Sequence, residues 1–278
     1  MTKTSRPSDR SQWVAAGIAI LILIVWELAS RSSAHFAFLL SRPSQVWDAL
    51  VAMAISGTLL TDVGVTTFEA LVGTASGTVL GSALGLALWL SRRAAKVAAP
   101  FVVVAANFPI FALAPAAIVW LGIGLGLKVF LAAFATFFVS LQLAHRGARL
   151  AVEQFSGVFD GFRATPWDTY TKIIVPGAMD AVLSSMRVNV GLGILGAFIG
   201  EFIVSDQGLG RTIIRASGLY QIDRVFAASL CIIALAGLLD RLAYGIQQEN
   251  LIFARAFGLP RLLRVRSRAL AERQENRR

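Results

Sequence analysis

The stretch TTFEALVGTASGTVLGSALGLALWL, residues 66–90, decides the fold class of this chain of 278 residues. It holds a single charge, and about 20 mostly apolar residues suffice for a helix to cross a bilayer. Glycine recurs at every fourth position, Gly73, Gly77, Gly81 and Gly85, along one face of such a helix. A neighbouring helix can approach closely there. The stretch therefore predicts a tightly packed membrane-spanning helix, and the same face would also allow two helices to slide or rock.

The composition of the whole chain favours a membrane protein. Hydrophobic residues make up 56% of it and charged residues 15%, whereas soluble proteins average roughly 45–50% and about 25%. Disorder is excluded, because it requires low hydrophobicity. The predicted spans are Trp13–Ala29, Thr66–Leu90, Val97–Leu121, Leu127–Leu143, Ala181–Val204 and Val225–Gly245. We therefore predict an all-α membrane protein with six transmembrane helices. The first span exceeds the roughly 7–15 apolar residues of a signal peptide, so we interpret it as a retained anchor.

The basic residues predict the orientation of these spans. The chain holds 26 Lys and Arg against 16 Asp and Glu, a net charge of +10. With the N-terminus in the cytoplasm and the spans alternating, 19 basic residues fall inside and 6 outside. Positively charged loops stay in the cytoplasm, so we predict cytoplasmic tails at residues 1–12 and 251–278 around a membrane domain at 13–250. The basic second tail favours anionic lipid, and we predict no nucleic-acid partner.

Polar residues and prolines within the spans are the first candidates for function, because polar groups in a membrane are costly and face protein or water. Asn189 and Glu201 lie in the fifth span. Glu201 is near its outer end, which fits a functional group, a structural pair or a side chain that reaches the surface. Pro109 and Pro115 each remove a backbone donor from the third span. We expect that helix to face the interior or a pathway, or to be merely kinked.

The segment between the fourth and fifth spans is longer than a simple return requires. It contains apolar residues spaced 3, 1 and 3 apart, as on one face of a helix. These residues are Phe155, Val158, Phe159 and Phe162. Thr165 and Pro166 then predict the start of a second helix, with threonine as the N-cap and proline at the first helical position. We predict a hairpin at about 152–175, whose apolar face docks on the membrane, on the chain's own spans or on a partner.

Signatures of chemistry are absent from the sequence. There is no phosphate-binding G-x-x-x-x-G-K-[ST] loop, and Gly191, Gly193 and Gly196 match G-x-G-x-x-G only inside an apolar span. Helix packing explains these glycines better than a dinucleotide. The two histidines have no Cys or His neighbour at metal-ligand spacing. We therefore predict no metal, no cofactor and no enzymatic activity, so that uphill transport would draw its energy from ions or from another chain.

Several sequence blocks, in order, resemble the permease subunit of ABC importers, in the branch that serves nitrate, aliphatic sulfonates and taurine. The resemblance covers roughly residues 36–257. Its blocks are Arg42–Leu50, the glycine stripe followed by Ser91-Arg92-Arg93, Pro109–Pro115 followed by Trp120–Gly124, and Gly200-Glu201-Phe202 with Gly208-Leu209-Gly210. The family's cytoplasmic loop reads E-A-A-x3-G-x9-I-x-L-P. Aligned on Pro176, it places Arg163 where the family has glycine.

The resemblance implies a type I ABC importer permease in the cell inner membrane, with cytoplasmic coupling helices. Two copies would form the pathway as a homodimer, two ATPase subunits would bind the hairpins, and an extracytoplasmic solute-binding protein would deliver a small solute for alternating access. The implied ATPase contact is Phe159, Asp160, Arg163, Thr165 and Trp167. The pathway or gate residues are Asn107, Pro109, Asn189 and Glu201.

The alternative is an ion-coupled secondary transporter or channel, in which Glu69, Glu201 and Asp240 would bind ions. That function requires carboxylates clustered at the middle of the membrane. The sequence places these three near the ends of their spans, with Glu69 and Asp240 too far apart to pair. A membrane enzyme is the third possibility, and it lacks a catalytic constellation.

Overall fold

A computed structural model describes residues 9–159 and 165–256, and the regular structure within these ranges is entirely helical. The helices are α1 (Asp9–Ser32), α2 (Ala34–Leu40), α3 (Pro43–Ile55), α4 (Thr58–Ala87), α5 (Arg92–Ala106), α6 (Ile110–Leu121), α7 (Leu125–Phe159), α8 (Pro166–Thr169), α9 (Val175–Ile203), α10 (Leu209–Gly218) and α11 (Ile222–Ala256). A 3₁₀ turn at Leu88–Leu90 follows α4, and a π-helical segment at Tyr170–Ile174 links α8 to α9. The predicted all-α class is confirmed.

Within the described ranges, four helical stretches are long and apolar enough to cross a membrane, and a bent pair makes a fifth. The four are Thr58–Leu90, Leu125–Glu153, Trp167–Ile203 and Ile222–Gln247. The pair is α5 with α6, which bend by 98°. Five of the six predicted spans correspond to these stretches. The first predicted span lies in α1, a helix of 24 residues that is not among them, so its crossing of the membrane stays a prediction.

The third predicted span is two helices and not one straight crossing. Helix α5 ends at Ala106, and the Nδ2 of its C-cap Asn107 donates a hydrogen bond to the Val103 carbonyl at 2.7 Å. Pro109 caps the start of α6 with an extended ψ of 118°. Proline excludes the helical conformation from the residue before it, so the chain turns at Phe108. Pro100 and Pro115 lie inside α5 and α6 without ending them.

The predicted cytoplasmic hairpin has a different construction. Its first half is not a separate helix, because α7 runs without interruption for 35 residues to Phe159, and no proline breaks it. Its second helix begins at Pro166 as predicted, but it continues past Pro176 into α9. The π-helical turn bonds Val175 N to the Tyr170 carbonyl. This wider turn accommodates Pro176, which has no N–H for an α-helical bond.

The described chain divides into two compact units. In the unit formed by residues 9–67 and 200–234, buried Val46, Ala49 and Met53 of α3 pack against Ala227 of α11. The Glu27 carboxylate of α1 accepts hydrogen bonds from Ser44 N at 3.2 Å and from its hydroxyl at 3.1 Å. These bonds tie α1 to the start of α3.

The other unit comprises residues 68–199 and 235–256. One buried cluster joins α6 and α7 to Ile199 of α9. A second cluster, of Ala148, Ile174 and Ala178, packs with Trp89 and Tyr170. The second cluster fixes the hairpin segment against the turn that follows α4.

Candidate functional site

The glycine stripe of α4 forms a close helix contact in the second unit. A Cβ atom added at any of Gly73, Gly77, Gly81 or Gly85 would overlap α7. The overlapped groups are Ala132 Cβ and the carbonyl oxygens of Ala133, Phe137 and Leu141, respectively. The predicted tight packing is confirmed. It depends on backbone-to-backbone approach, because lipid gives two apolar helices no hydrophobic reason to associate.

Helix α9 approaches the same pair of helices through two glycines. A Cβ at Gly193 would overlap the Thr74 hydroxyl, and one at Gly196 would lie 2.5 Å from Ala132 Cα. Gly191, by contrast, has nothing within 4 Å of such an atom. The packing interpretation of the G-x-G-x-x-G match is therefore confirmed for its second and third glycines, and the first is not explained by a contact.

Asn189 lies at the centre of a polar cluster among these three helices. Its side chain is fully buried, and Nδ2 donates to Thr78 Oγ1 at 2.8 Å and to Ser140 Oγ at 2.5 Å. Ser185 lies 3.5 Å from Ser140. The Oδ1 atom of Asn189 has no hydrogen-bond partner among the described residues. Each hydrogen bond between membrane helices contributes about 0.6 kcal/mol on average, so this cluster also holds the helices in register.

Two ionic contacts stabilise the second unit. Glu69 and Lys128 form an ion pair in which both side chains are buried. Arg187 binds Asp240 through two hydrogen bonds of 2.8 and 3.1 Å, and its guanidinium carbon lies 5.0 Å from the ring centroid of Tyr244. The partner of Glu69 comes from the start of α7, and the partner of Asp240 comes from α9. As expected, Glu69 and Asp240 do not pair with each other.

Glu201 holds the N-terminus of α10 in the first unit. It is fully buried. Its Oε1 accepts the Thr66 hydroxyl at 2.6 Å, and its Oε2 accepts Gly210 N at 2.6 Å. Thr66 Oγ1 accepts Leu209 N at 3.0 Å. A carboxylate is favourable at this position, because the first N–H groups of a helix lack intrahelical partners and carry partial positive charge.

Asp62 and Gly208 complete this cap. Asp62 accepts Gly208 N at 2.9 Å and the Thr212 hydroxyl at 2.6 Å. Gly208 has a φ of +112°, and a Cβ at this position would overlap the Glu201 carboxylate. Both facts require glycine here. The α10 cap, consisting of Asp62, Thr66, Glu201 and Gly208, thus joins the first turns of α4 to the end of α9 and the start of α10.

The two other predicted pathway residues lie at the bend between α5 and α6. Asn107 and Pro109 are both exposed. Asn107 uses its amide to close the last turn of α5, and Pro109 starts α6. Their role at this bend is therefore visible as local structure, and their place on a pathway stays a prediction.

The predicted ATPase contact is described in part. Asp160 and Arg163 lie outside the described residues, and Phe159 is the last residue of α7. Thr165 Oγ1 accepts Asp168 N at 3.2 Å, which confirms threonine as the N-cap. Trp167 is 64% exposed and stacks on Tyr170, with ring centroids 5.6 Å apart.

That stack continues to the turn after α4. Tyr170 lies between Trp167 and Trp89, whose ring centroid is 6.1 Å from that of Tyr170. Trp167 itself stays largely exposed among the described residues. The row of three rings therefore connects an exposed aromatic side chain with a helix of the membrane bundle.

Sequence reasoning missed the partners of the buried charges. The sequence predicts no role for Lys128, Asp62 or Thr66. The spacing of Asp62 and Thr66 was a usable signal, because residues four apart on a helix share a face. No local pattern indicates that this face meets α10.

The fold and these sites define an all-helical membrane protein with the architecture of a type I ABC importer permease. A chain of the methionine ABC transporter MetNI, solved in inward-facing conformations, superposes with a TM-score of 0.62 at 15% identity. The match covers 70% of this chain and 97% of that one. At this identity, the likeness establishes the fold alone.

The chain belongs to the binding-protein-dependent transport system inner membrane component family, whose pattern matches residues 77–252. The riboflavin transport system permease protein RibX of Chloroflexus aurantiacus is 33% identical, covering 85% of this chain and 92% of the relative. The putative aliphatic sulfonates transport permease protein SsuC of Escherichia coli is 32% identical, covering 80% and 83%. The protein is therefore an ABC importer permease subunit of the inner membrane, in a family whose ATPase is a separate subunit.

Proposed function

We propose that two copies of this chain form the pathway of an ATP-driven importer. Two ATPase subunits bind the cytoplasmic side, and a solute-binding protein delivers the solute on the other side. The observation that carries this proposal is the family match over residues 77–252 on a bundle with the type I fold. ATP-driven closure of the ATPases moves the coupling segment and rocks the helices, which opens the pathway to one side at a time.

The solute in this proposal is a small molecule of the nitrate, sulfonate or taurine kind. The sulfonate permease relative supports this class. The riboflavin permease relative is similar to the same degree, so riboflavin is the second candidate.

The proposal places both termini in the cytoplasm. The support is the distribution of basic residues, 19 inside against 6 outside, since positively charged loops stay in the cytoplasm. In this orientation, the hairpin segment and the turn after α4 face the ATPase. The α10 cap faces the opposite side, where it forms the outer gate.

Reconstitution in liposomes tests the function directly. Vesicles that hold the permease, its ATPase and internal ATP should accumulate labelled taurine or riboflavin only when the solute-binding protein is outside. The two labels decide between the candidate solutes. Uptake that follows an ion gradient without any ATPase would contradict the importer and favour the ion-coupled alternative.

The ATPase contact in this proposal centres on Trp167, with Phe159, Asp160, Arg163 and Thr165 around it. Its support is the exposed indole, which is fixed from behind by Tyr170 and Trp89. An aromatic side chain held rigid and left open to solvent is typical of the residues that dominate protein interfaces. Helix α7, whose last residue is Phe159, is a continuous helix of 35 residues and therefore roughly 52 Å long. It connects the proposed contact with the bundle.

Replacing Trp167 by alanine should weaken co-purification of the ATPase about tenfold or more, because a central aromatic residue contributes 2 kcal/mol or more to an interface. The amount of ATPase retained per permease on an affinity column measures this. Trp47→Ala is the matched control, since Trp47 is 66% exposed and lies in α3, far from the hairpin in sequence. Retention unchanged by both Trp167→Ala and Arg163→Glu would refute the assignment.

The α10 cap carries Glu201, the predicted gate residue, in this proposal, and the bend between α5 and α6 carries two predicted pathway residues. Asn107 and Pro109 at the bend give the pathway a break that two straight helices would not have. Asn189 is fully buried among α4, α7 and α9, so in this proposal it acts on the pathway through the helices that it holds together.

The solute-binding protein docks beside the α10 cap in this proposal. A cavity of about 610 Å³ there is lined by Arg211 and Arg215 of α10 and by Arg224 of α11. No ion pair of these three arginines exists among the described residues. Two carboxylates also line the cavity. Asp62 already accepts hydrogen bonds from Gly208 and Thr212, and Asp206 is exposed. The three arginines outnumber these two carboxylates. The surplus of positive charge is complementary to an acidic protein surface.

The double variant Arg211→Glu/Arg215→Glu should weaken binding of the solute-binding protein at least tenfold and slow its association, because like charges oppose the encounter. Biolayer interferometry on the permease in nanodiscs at two salt concentrations measures both effects. Arg92→Glu/Arg93→Glu changes the same charge at the start of α5 and serves as the control. If the wild-type permease does not bind the solute-binding protein, the proposed partner is wrong. If the wild type and the variant bind equally well, only this docking site is wrong.

A further inference from the structure

A cavity of about 410 Å³ lies between α5 and α7 in the second unit. Its α5 side is formed by small and apolar residues, among them Ala99, Val102 and Val103. Its α7 side includes Arg146 and Arg149, which are both exposed. One groove thus presents a hydrocarbon surface and two guanidinium groups to the same occupant.

The polarity of this cavity changes along its length. Ala148 and Val152 of α7 pack with Trp89, just before α5 begins, so the arginines lie beside the first turns of α5. Val103, late in α5, and Leu141, which precedes the arginines on α7, line the other end of the cavity. Gln142 and His145 of α7 also belong to the lining. The cavity is therefore charged at one end and mainly apolar at the other. The eight residues from Ala95 to Val103 span about 12 Å along α5.

In the proposed orientation, the charged end lies at the cytoplasmic surface of the membrane. Basic residues collect where spans leave the bilayer on the cytoplasmic side, and α5 begins with Arg92, Arg93 and, one turn later, Lys96. Glu153 is the one carboxylate among the residues that line the cavity. Neither Arg146 nor Arg149 forms an ion pair with any part of the chain that the structure describes.

We propose that this cavity binds an anionic phospholipid, with its phosphate at Arg146 and Arg149 and an acyl chain along α5. Basic pockets between membrane helices on the cytoplasmic side bind anionic head groups. The apolar far end favours a lipid over a free phosphate, which would use only the arginines. This site goes beyond the proposed transport function and needs neither the ATPase nor a solute.

A photoactivatable phosphatidylglycerol with a diazirine on its acyl chain tests the proposal. In nanodiscs of phosphatidylcholine with phosphatidylglycerol, mass spectrometry of the full-length protein should find the label on α5 between Ala95 and Val103. Arg146→Gln/Arg149→Gln should lower this labelling at least fivefold, since each basic residue near a charged surface contributes roughly that factor. Val102→Trp fills the apolar end without a change of charge, and it should lower the labelling as well.

Arg92→Gln/Arg93→Gln is the matched control, because it removes the same charge at the same end of α5 outside the cavity lining. It should leave the labelling of α5 unchanged. Four results would overturn the proposal. Two concern the variants: an equal loss of labelling in the control, or no loss of labelling with Val102→Trp. The other two are loss of labelling when millimolar glycerol phosphate is present, and a disulfide between two copies through Ala99→Cys. The last would mean that a second copy covers the cavity.

Discussion

Replacing Gly196 by alanine is expected to destabilise the bundle by up to about 2 kcal/mol. The new Cβ would lie 2.5 Å from Ala132 Cα and 2.7 Å from Ala132 N, so α9 and α7 would have to separate. Overpacking of a closely packed site costs roughly 1–3 kcal/mol. The helix propensity that alanine gains over glycine, about 1 kcal/mol, offsets only part of this cost. Unfolding by SDS in mixed micelles, followed by circular dichroism, measures the difference.

Gly191→Ala is the control on the same helix. Nothing lies within 4 Å of a Cβ at Gly191, so this variant should be neutral or slightly stabilising through helix propensity. The comparison holds residue type, helix and membrane environment constant. If both variants lose the same stability, contact with α7 is not the reason, and the packing role of Gly196 is wrong.

Replacing Glu201 by alanine is expected to cost about 3–5 kcal/mol and to release α10. The change leaves Gly210 N and the Thr66 hydroxyl without their buried acceptor, and a hydrogen bond to a charged group contributes about 1.5–3 kcal/mol. Hydrogen exchange should therefore rise in residues 209–218. Asp180→Asn, at an exposed carboxylate of α9, controls for the loss of one negative charge.

Replacing Glu201 and Gly208 together should have a non-additive effect on stability. In the wild-type background, Gly208→Ala should lower stability for two reasons: the φ of +112° is unfavourable for alanine, and the new Cβ overlaps the Glu201 carboxylate. In the Glu201→Ala background the overlap disappears and only the backbone strain remains. The double variant should thus be more stable than the sum of the two single changes implies. Simple additivity would show that the two residues do not touch.

The sequence placed the helices well wherever a long apolar stretch ends at polar or basic residues. The stretch at residues 66–90 is such a case, and it corresponds to α4 with the following 3₁₀ turn. The threonine that caps α8 was also readable, because N-capping is decided within four residues. The prolines of the third predicted span indicated a kink, but its angle of 98° depends on what surrounds both helices.

The sequence predicted which charged residues lie within the spans, but it did not predict their partners. An ionisable residue in an apolar stretch indicates that a partner exists, and Glu69, Glu201 and Asp240 were recognised in this way. The identity of the partner depends on which helices meet. Glu201 bonds to Thr66, 135 positions earlier, and Asp240 bonds to Arg187, 53 positions earlier.

The sequence by itself determined the membrane class, the helical elements and the resemblance to an importer permease, because hydropathy, glycine spacing and capping are local properties of the chain. Only the tertiary structure decided that the glycine stripe faces α7, that Glu201 caps α10 and that Trp167 stacks on Tyr170. These contacts join residues far apart in the chain. Their geometry follows from the packing of whole helices, which no short segment encodes.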